Sequence, residues 1–227
     1  MNLSIMQPYF FPYIGYFQLL QASEKFVFYD DVNFIKGGWI NRNRILISGS
    51  ARYITIPLST PSSFSLIEHT KINRQLPWKK KIFAQITHAY AKSPHFAKVF
   101  NLVEETLSSE EESISQLAKN SITGVLNYLG IKKDINSSSR KYCNNHLKGQ
   151  DRVLDICLQE NATRYLNLPG GISLYEPEKF STQGIALSFI DVNMTTYRQH
   201  SANFTPGLSI IDVLMHNEID EVINMLL

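Results

Sequence analysis

The chain has 227 residues, a net charge of +2, 19% charged and 44% hydrophobic residues, and two cysteines, Cys143 and Cys157. That length holds one compact unit with a real core. The composition excludes a disordered chain, the charge balance argues against DNA as a bulk partner, and two cysteines exclude a disulfide scaffold or a cysteine-rich zinc site.

Ser4-Ile5-Met6 reads as a first strand, closed by Gln7-Pro8 and an aromatic run from Tyr9 to Phe17 that serves either as a hydrophobic plug or as a stacking wall for a ligand. Pro8 and Pro12 bar a helix there, and Gly15 lets the backbone turn before a helix that starts near Tyr16. Phe26 to Tyr29 is a second strand, expected parallel to the first with the helix crossing between them. It runs into Asp30-Asp31, and within the next thirteen positions come Lys36, Gly37-Gly38, Trp39, Asn41, Arg42, Asn43 and Arg44. Acids, bases, amides and a large aromatic at a strand end are what a polar site on an α/β fold needs, and the expectation is that they converge on one cleft. The alternative is local neutralisation, with the aspartates capping a turn and pairing with Arg42 or Arg44.

Arg44 to Ser48 and Arg52 to Leu58 form a hairpin about Ser48-Gly49-Ser50-Ala51, followed by a Ser/Thr/Pro-rich segment, 59–65, that is either a mobile lid or a plain connection. Helical periodicity covers 78–91, 97–107 and 113–129, with Gly130 as a stop, so that 78–130 reads as a helical insertion or cap within a single 1–227 domain. A further helix spans 152–159, strands are expected at 164–167 and 185–191, and a last helical region runs from 208 to 226. The glycine pair after Pro169 is a place where backbone can approach a ligand. No apolar run is long enough to span a membrane, and the amino-terminal stretch lacks a basic leader, which predicts a cytoplasmic protein.

No GxxxxGK[ST] or GxGxxG motif is present, so P-loop and standard dinucleotide chemistry are not expected. The histidines show no HExxH and no pairing with cysteine, and no metal site is predicted. A cysteine hydrolase built on Cys157 is a rival reading, opposed by the stripe Val153, Leu154, Cys157, Leu158, which has the spacing of a buried helix face. Acid/base and electrostatic chemistry remains. Asp30 or Asp31 takes a proton from an amine or hydroxyl, Lys36, Arg42 and Arg44 hold phosphates or steady an oxyanion, Trp39 stacks or packs, and the asparagines meet hydroxyls. Phosphate plus a hydroxylated ring describes a nucleotide-activated sugar.

The blocks MQPYFFPYIGYF, YDDVNFIKGGWINRNRIL, the Trp78 to Pro94 helix with AYAKSPHF, ICLQENATRYLNLPGG followed by LY, and FTPGLSIIDVLMHN span nearly the whole chain in order. In these the chain resembles the WbqC-like family of bacterial surface-polysaccharide gene clusters. The resemblance implies an α/β fold and a part in O-antigen and lipopolysaccharide assembly, with an amino acid such as glycine, or an acyl group, attached to the amino group of a sugar. Gln7, Tyr9, Asp30, Asp31, Lys36, Trp39, Asn41, Arg42, Arg44 and Asp212 stand in its motifs. The expected architecture is a mixed, largely parallel sheet flanked by helices. The expected activity is a transferase with Asp30, Asp31 and Lys36 catalytic and the other seven residues binding substrate. No cofactor is identified. The missing ATP motif implies a pre-activated acyl or aminoacyl donor, such as a carrier-protein thioester or an aminoacyl-tRNA. A non-catalytic sugar-nucleotide-binding or scaffold protein of the same pathway is the second expectation.

Overall fold

The computed structural model describes residues 1–60 and 62–227. Five strands form a wholly parallel sheet in the order β5-β2-β1-β6-β7: β1 Asn2–Met6, β2 Lys25–Phe28, β5 Asp134–Asn136, β6 Arg164–Asn167 and β7 Ala186–Phe189. Strand alternation sends Leu3, Ile5, Val27 and Tyr165 to one face, where they meet Val153, Ile156 and Cys157 of α5 (Gly149–Gln159) and Phe180 of α6 (Pro177–Ser181). Phe26, Phe28 and Leu166 point to the other face and pack with α1 (Ile14–Ala22). The result is three layers, helix on sheet on helix.

The expected βα unit is present: β1 pairs with β2 in parallel, Ile5 opposite Val27, and α1 joins them. Because α1 is buried on nearly every side, the amide of its buried Gln18 must bond internally. Gln18 Nε2 donates to the carbonyls of Asn193 (2.8 Å) and Met225 (2.7 Å), tying the segment after β7 and the carboxyl-terminal helix to it.

The antiparallel strands, β3 (Arg42–Ile47) and β4 (Ser50–Thr55), form a ribbon apart from the central sheet. Their connection is the two residues Ser48 and Gly49, both with positive φ, shorter than the expected four-residue turn. Within the expected loop 59–65, Pro61 lies outside the described residues. Helices α2 (Trp78–Tyr90), α3 (Phe96–Ser108) and α4 (Ile114–Tyr128) share one apolar core with β3, the Phe26–Phe28 face of the sheet and α7 (Ile210–His216). The expected last helical region is two helices, α7 and α8 (Ile219–Met225). The break at Asn217 and Glu218 is sealed by a capping box in which Glu218 and Glu221 each accept from the other's backbone amide.

From β1 the chain winds outward through β2 to β5, then crosses back to β6 and β7 on the other side. This doubly wound order opens a crevice outside the carboxyl ends of the strands, where Gln7, Tyr9, Asp30 and Asp31 emerge.

Candidate functional site

Both aspartates after β2 are buried, and neither meets Arg42 or Arg44. Asp30 Oδ2 takes Lys119 Nζ at 2.5 Å and Ser115 Oγ at 3.0 Å, both from α4, while Oδ1 takes Ser138 Oγ at 2.7 Å. Asp31 Oδ2 pairs with Arg152 Nη2 of α5 at 2.5 Å, and Oδ1 accepts from Ser139 Oγ. Arg152 is itself held by Asn144 Oδ1 at 2.9 Å, and its guanidinium lies 5.1 Å over the Tyr29 ring. One acid therefore anchors a helix on one face of the sheet and its neighbour a helix on the other, because successive residues point to opposite sides.

A cleft of about 680 Å³ opens beside Asp31, lined by Tyr29, Asn33, Glu68, Arg140, Cys143, Lys148 and Arg152, with the amino terminus of α5 at Gly149 in its wall. That helix has no side-chain cap, and its first amides add positive potential to the three cations. A second hollow of about 560 Å³, lined by Asp30, Ser115, Lys119, Ser138 and Lys141, shares Glu68 and Arg140 with the first, so the two adjoin. Arg140 Nη2 stands 3.2 Å from Glu68 Oε1 between them, without the alignment of a hydrogen bond. Burial pushes the Tyr29 phenol up, and it stays a neutral hydroxyl at neutral pH.

Tyr9, Trp39 and Arg44 meet elsewhere, in a pocket of about 280 Å³ completed by Pro12, Tyr13, Asn43, Met194 and Gly207. Arg44 lies 5.5 Å over Trp39, Trp39 adjoins Tyr53 at 6.3 Å, and Arg42 stacks 4.4 Å over Tyr53, so two neighbouring rings are flanked by a cation at either end. The expected single cleft is thus two: Val32 and Asn33 line the first and Trp39 the second, with the turn of Ile35 to Gly38 between.

The remaining predicted residues are placed as follows. Lys36 is exposed on that turn. Asn41 Nδ2 donates to Ile56 O at 2.8 Å, and Arg42 closes the glycine turn through Gly37 O and Gly38 O. Gln7 is half-buried after β1, its carbonyl accepting from Tyr16 Oη at 2.9 Å. Asp212 is fully buried and accepts from Tyr90 Oη (2.6 Å), Tyr197 Oη (2.7 Å) and Gln199 Nε2 (2.9 Å), joining α2, α7 and the segment between β7 and α7. The space left by Gly171 is filled by the Asn167 amide, 2.8 Å from where a Cβ would stand. Cys157 is buried against the sheet, and burial pushes its thiol up to about 12, so it stays protonated and is not a nucleophile. Among the described residues no group of three or more His, Cys, Asp or Glu is placed to hold a metal, and no helix is long and apolar enough to cross a membrane.

Sequence reasoning missed Lys119 and Arg152, the partners of the two acids. The signal was there: each is a cation on the buried side of a helix, and Ser115 with Lys119 makes an i, i+4 polar pair on a face otherwise built of Ile114, Ala118 and Ile122.

The chain is 28% identical over 222 residues to "Uncharacterized protein Rv1507c" of Mycobacterium tuberculosis, covering 95% of this chain and 93% of that protein. No solved structure matches it. The profile of the WbqC-like protein family matches residues 7–224, a span that takes in both clefts and nearly every element that builds them, and the chain belongs to that family.

Proposed function

We propose that the protein is a transferase of surface-polysaccharide assembly that places an acyl or aminoacyl group on the amino group of a nucleotide-linked amino sugar. The observation that carries this reading is the 680 Å³ cleft in which the Asp31 carboxylate faces the same space as Arg140, Lys148 and Arg152. Its volume suits a ligand of nucleotide-sugar size, and its cations and the start of α5 suit a diphosphate. In this reading the sugar amine attacks the carbonyl of an activated ester or thioester. The new C–N bond makes that nitrogen strongly acidic, Asp31 takes its proton, and the C–O or C–S bond to the leaving group breaks. Arg152 holds the carboxylate in place, and Arg140 and Lys148 bind phosphate in the role first assigned to Arg42 and Arg44.

Purified protein given a nucleotide-linked amino sugar and a set of acyl and aminoacyl thioesters and esters is expected to yield the amide, read by mass spectrometry. Asp31→Asn is expected to lower turnover by about 10²-fold or more while the nucleotide sugar still binds. Full turnover in that variant would falsify the assignment of the base.

The ion pairs of Asp30 and Asp31 favour a second reading, non-catalytic binding of the same sugar nucleotide, because both carboxylates are already engaged. It predicts binding without product for every donor, and unchanged binding in Asp31→Asn.

A further inference from the structure

The smaller pocket poses a question of its own. Arg44 Nε is buried with no hydrogen-bond partner, and among the described residues its guanidinium makes one bond, Nη2 to Gly207 O at a long 3.3 Å, and no ion pair. A buried polar donor left unmet is destabilising, and a half-buried guanidinium without an anion adds to that. Its neighbour Asn43 shows how completely this region otherwise satisfies its groups: Nδ2 donates to Phe10 O (3.1 Å) and Phe11 O (2.7 Å), and Oδ1 accepts from Arg44 N (2.8 Å). The exception sits in the wall of a cavity.

The rest of that wall is apolar or aromatic. Pro12 and Met194 stand with the rings of Tyr9, Tyr13 and Trp39, and neither Tyr9 nor Tyr13 has a hydroxyl partner among the described residues. Tyr13 is held there by Gly15: a Cβ at that position would fall 2.5 Å from its ring and 2.7 Å from Val192. Burial raises both phenols, which are neutral hydroxyls at neutral pH. Gly207, the acceptor of the single Arg44 bond, has φ +67°, a conformation that side-chain-bearing residues rarely adopt.

We infer that this pocket is a binding site for a small monocarboxylate with a flat apolar body, its carboxylate on Arg44 and its body between Trp39, Tyr9 and Tyr13. Charge and volume select that class. A single cation matches a single negative charge, and a diphosphate would leave most of its charge unpaired in an apolar cavity. A space of about 280 Å³ holds a ring with one substituent and not a nucleotide sugar. A carboxylate offers the guanidinium two oxygens in the spacing of its fork, and it meets the open donors when the side chain turns off the long Gly207 contact. The site stands apart from the Asp31 cleft and does not depend on the transferase reading.

The test is calorimetric titration of the full chain with benzoate, with its neutral analogue benzamide and with inorganic phosphate, followed in parallel by tryptophan fluorescence. Benzoate is expected to bind saturably and quench the fluorescence, benzamide to bind at least about tenfold more weakly, phosphate to leave the benzoate isotherm unchanged, and Arg44→Gln to weaken benzoate at least about tenfold. Should Arg44→Gln fail to fold, the ratio of benzoate to benzamide on the unaltered protein decides. Equal binding of benzoate and benzamide, displacement of benzoate by phosphate, or no saturable benzoate binding would each overturn the proposal.

Discussion

Lys119 Nζ and Asp30 Oδ2 stand 2.5 Å apart with side chains only 9% and 2% exposed, so α4 is fastened to the end of β2 by a pair of charges taken almost wholly out of water. Such a pair is a poor source of net stability but a costly thing to break on one side, because the surviving charge is stranded. Lys119→Met is expected to cost about 3–5 kcal/mol in urea unfolding. Adding Asp30→Asn, which keeps one acceptor oxygen for Ser115 or Ser138, turns an amide donor toward the other hydroxyl and removes the stranded charge, is expected to recover at least half of that loss. Strictly additive costs in the double variant would show that the two groups do not act as a pair.

Asp212 carries no cation partner among the described residues. Three neutral donors surround it instead, and two of them, Tyr90 and Tyr197, come from segments far apart in the chain. Tyr90 Oη also accepts from Leu46 N at 3.1 Å, so the same cluster reaches the β3–β4 ribbon. Asp212→Ala is expected to destabilise by about 3 kcal/mol or more, since it strips the acceptor from several buried donors at once. If Asp212 binds substrate instead, the variant keeps its melting temperature and loses affinity; paired thermal and binding measurements separate the two.

The parallel sheet was legible because its strands are short runs ending at Gln7-Pro8, Asp30-Asp31 and Asn167, where a polar residue closes the apolar stretch and marks the carboxyl edge. β5 was not, since Asp134–Asn136 has one apolar residue, Ile135, and earns its place by pairing with Phe26. Register is a tertiary fact, and three residues do not announce it. The site divides the same way. That Asp30 and Asp31 lie at the end of a strand follows from the local pattern. Their partners Lys119 and Arg152 lie 89 and 121 positions away, and only the crossing of α4 and α5 over opposite faces brings them in. Conversely, the arginines closest in sequence, Arg42 and Arg44, turn away because the hairpin lifts them off the sheet and onto Tyr53 and Trp39.

Glu160 sets a pH window. Burial works to raise its carboxyl, but hydrogen bonds from Lys141, Lys25, Tyr142 and Asn136 outweigh that and lower it from 4.5 to about 2. A carboxyl lowered by folding contributes stability that is complete above its unfolded value and disappears as pH falls through its folded one. The contribution of this group is therefore expected to be constant above about pH 4.5 and to fade between there and about pH 2. Melting curves of the unaltered protein and Glu160→Gln should differ by a constant amount above about pH 5, and the gap should narrow toward pH 2. A gap that does not change with pH would mean that the carboxylate charge is not what Lys25 and Lys141 hold.

The two cysteines report on different parts of the molecule. Cys157 is buried in the apolar layer beneath α5, with its thiol pushed up to about 12, whereas Cys143 is exposed and lines the cleft beside Asp31. Alkylation needs both access and thiolate, so iodoacetamide at pH 8 is expected to label one thiol per native chain and two in urea, with peptide mapping placing the native label at Cys143. Because that thiol faces the space assigned to the nucleotide sugar, saturating ligand should slow its labelling by about tenfold if the cleft is occupied. Benzoate, directed to the Arg44 pocket, should leave the rate unchanged. Protection of Cys143 by benzoate, or its absence with a nucleotide sugar that demonstrably binds, would show that the ligands have been assigned to the wrong cavities.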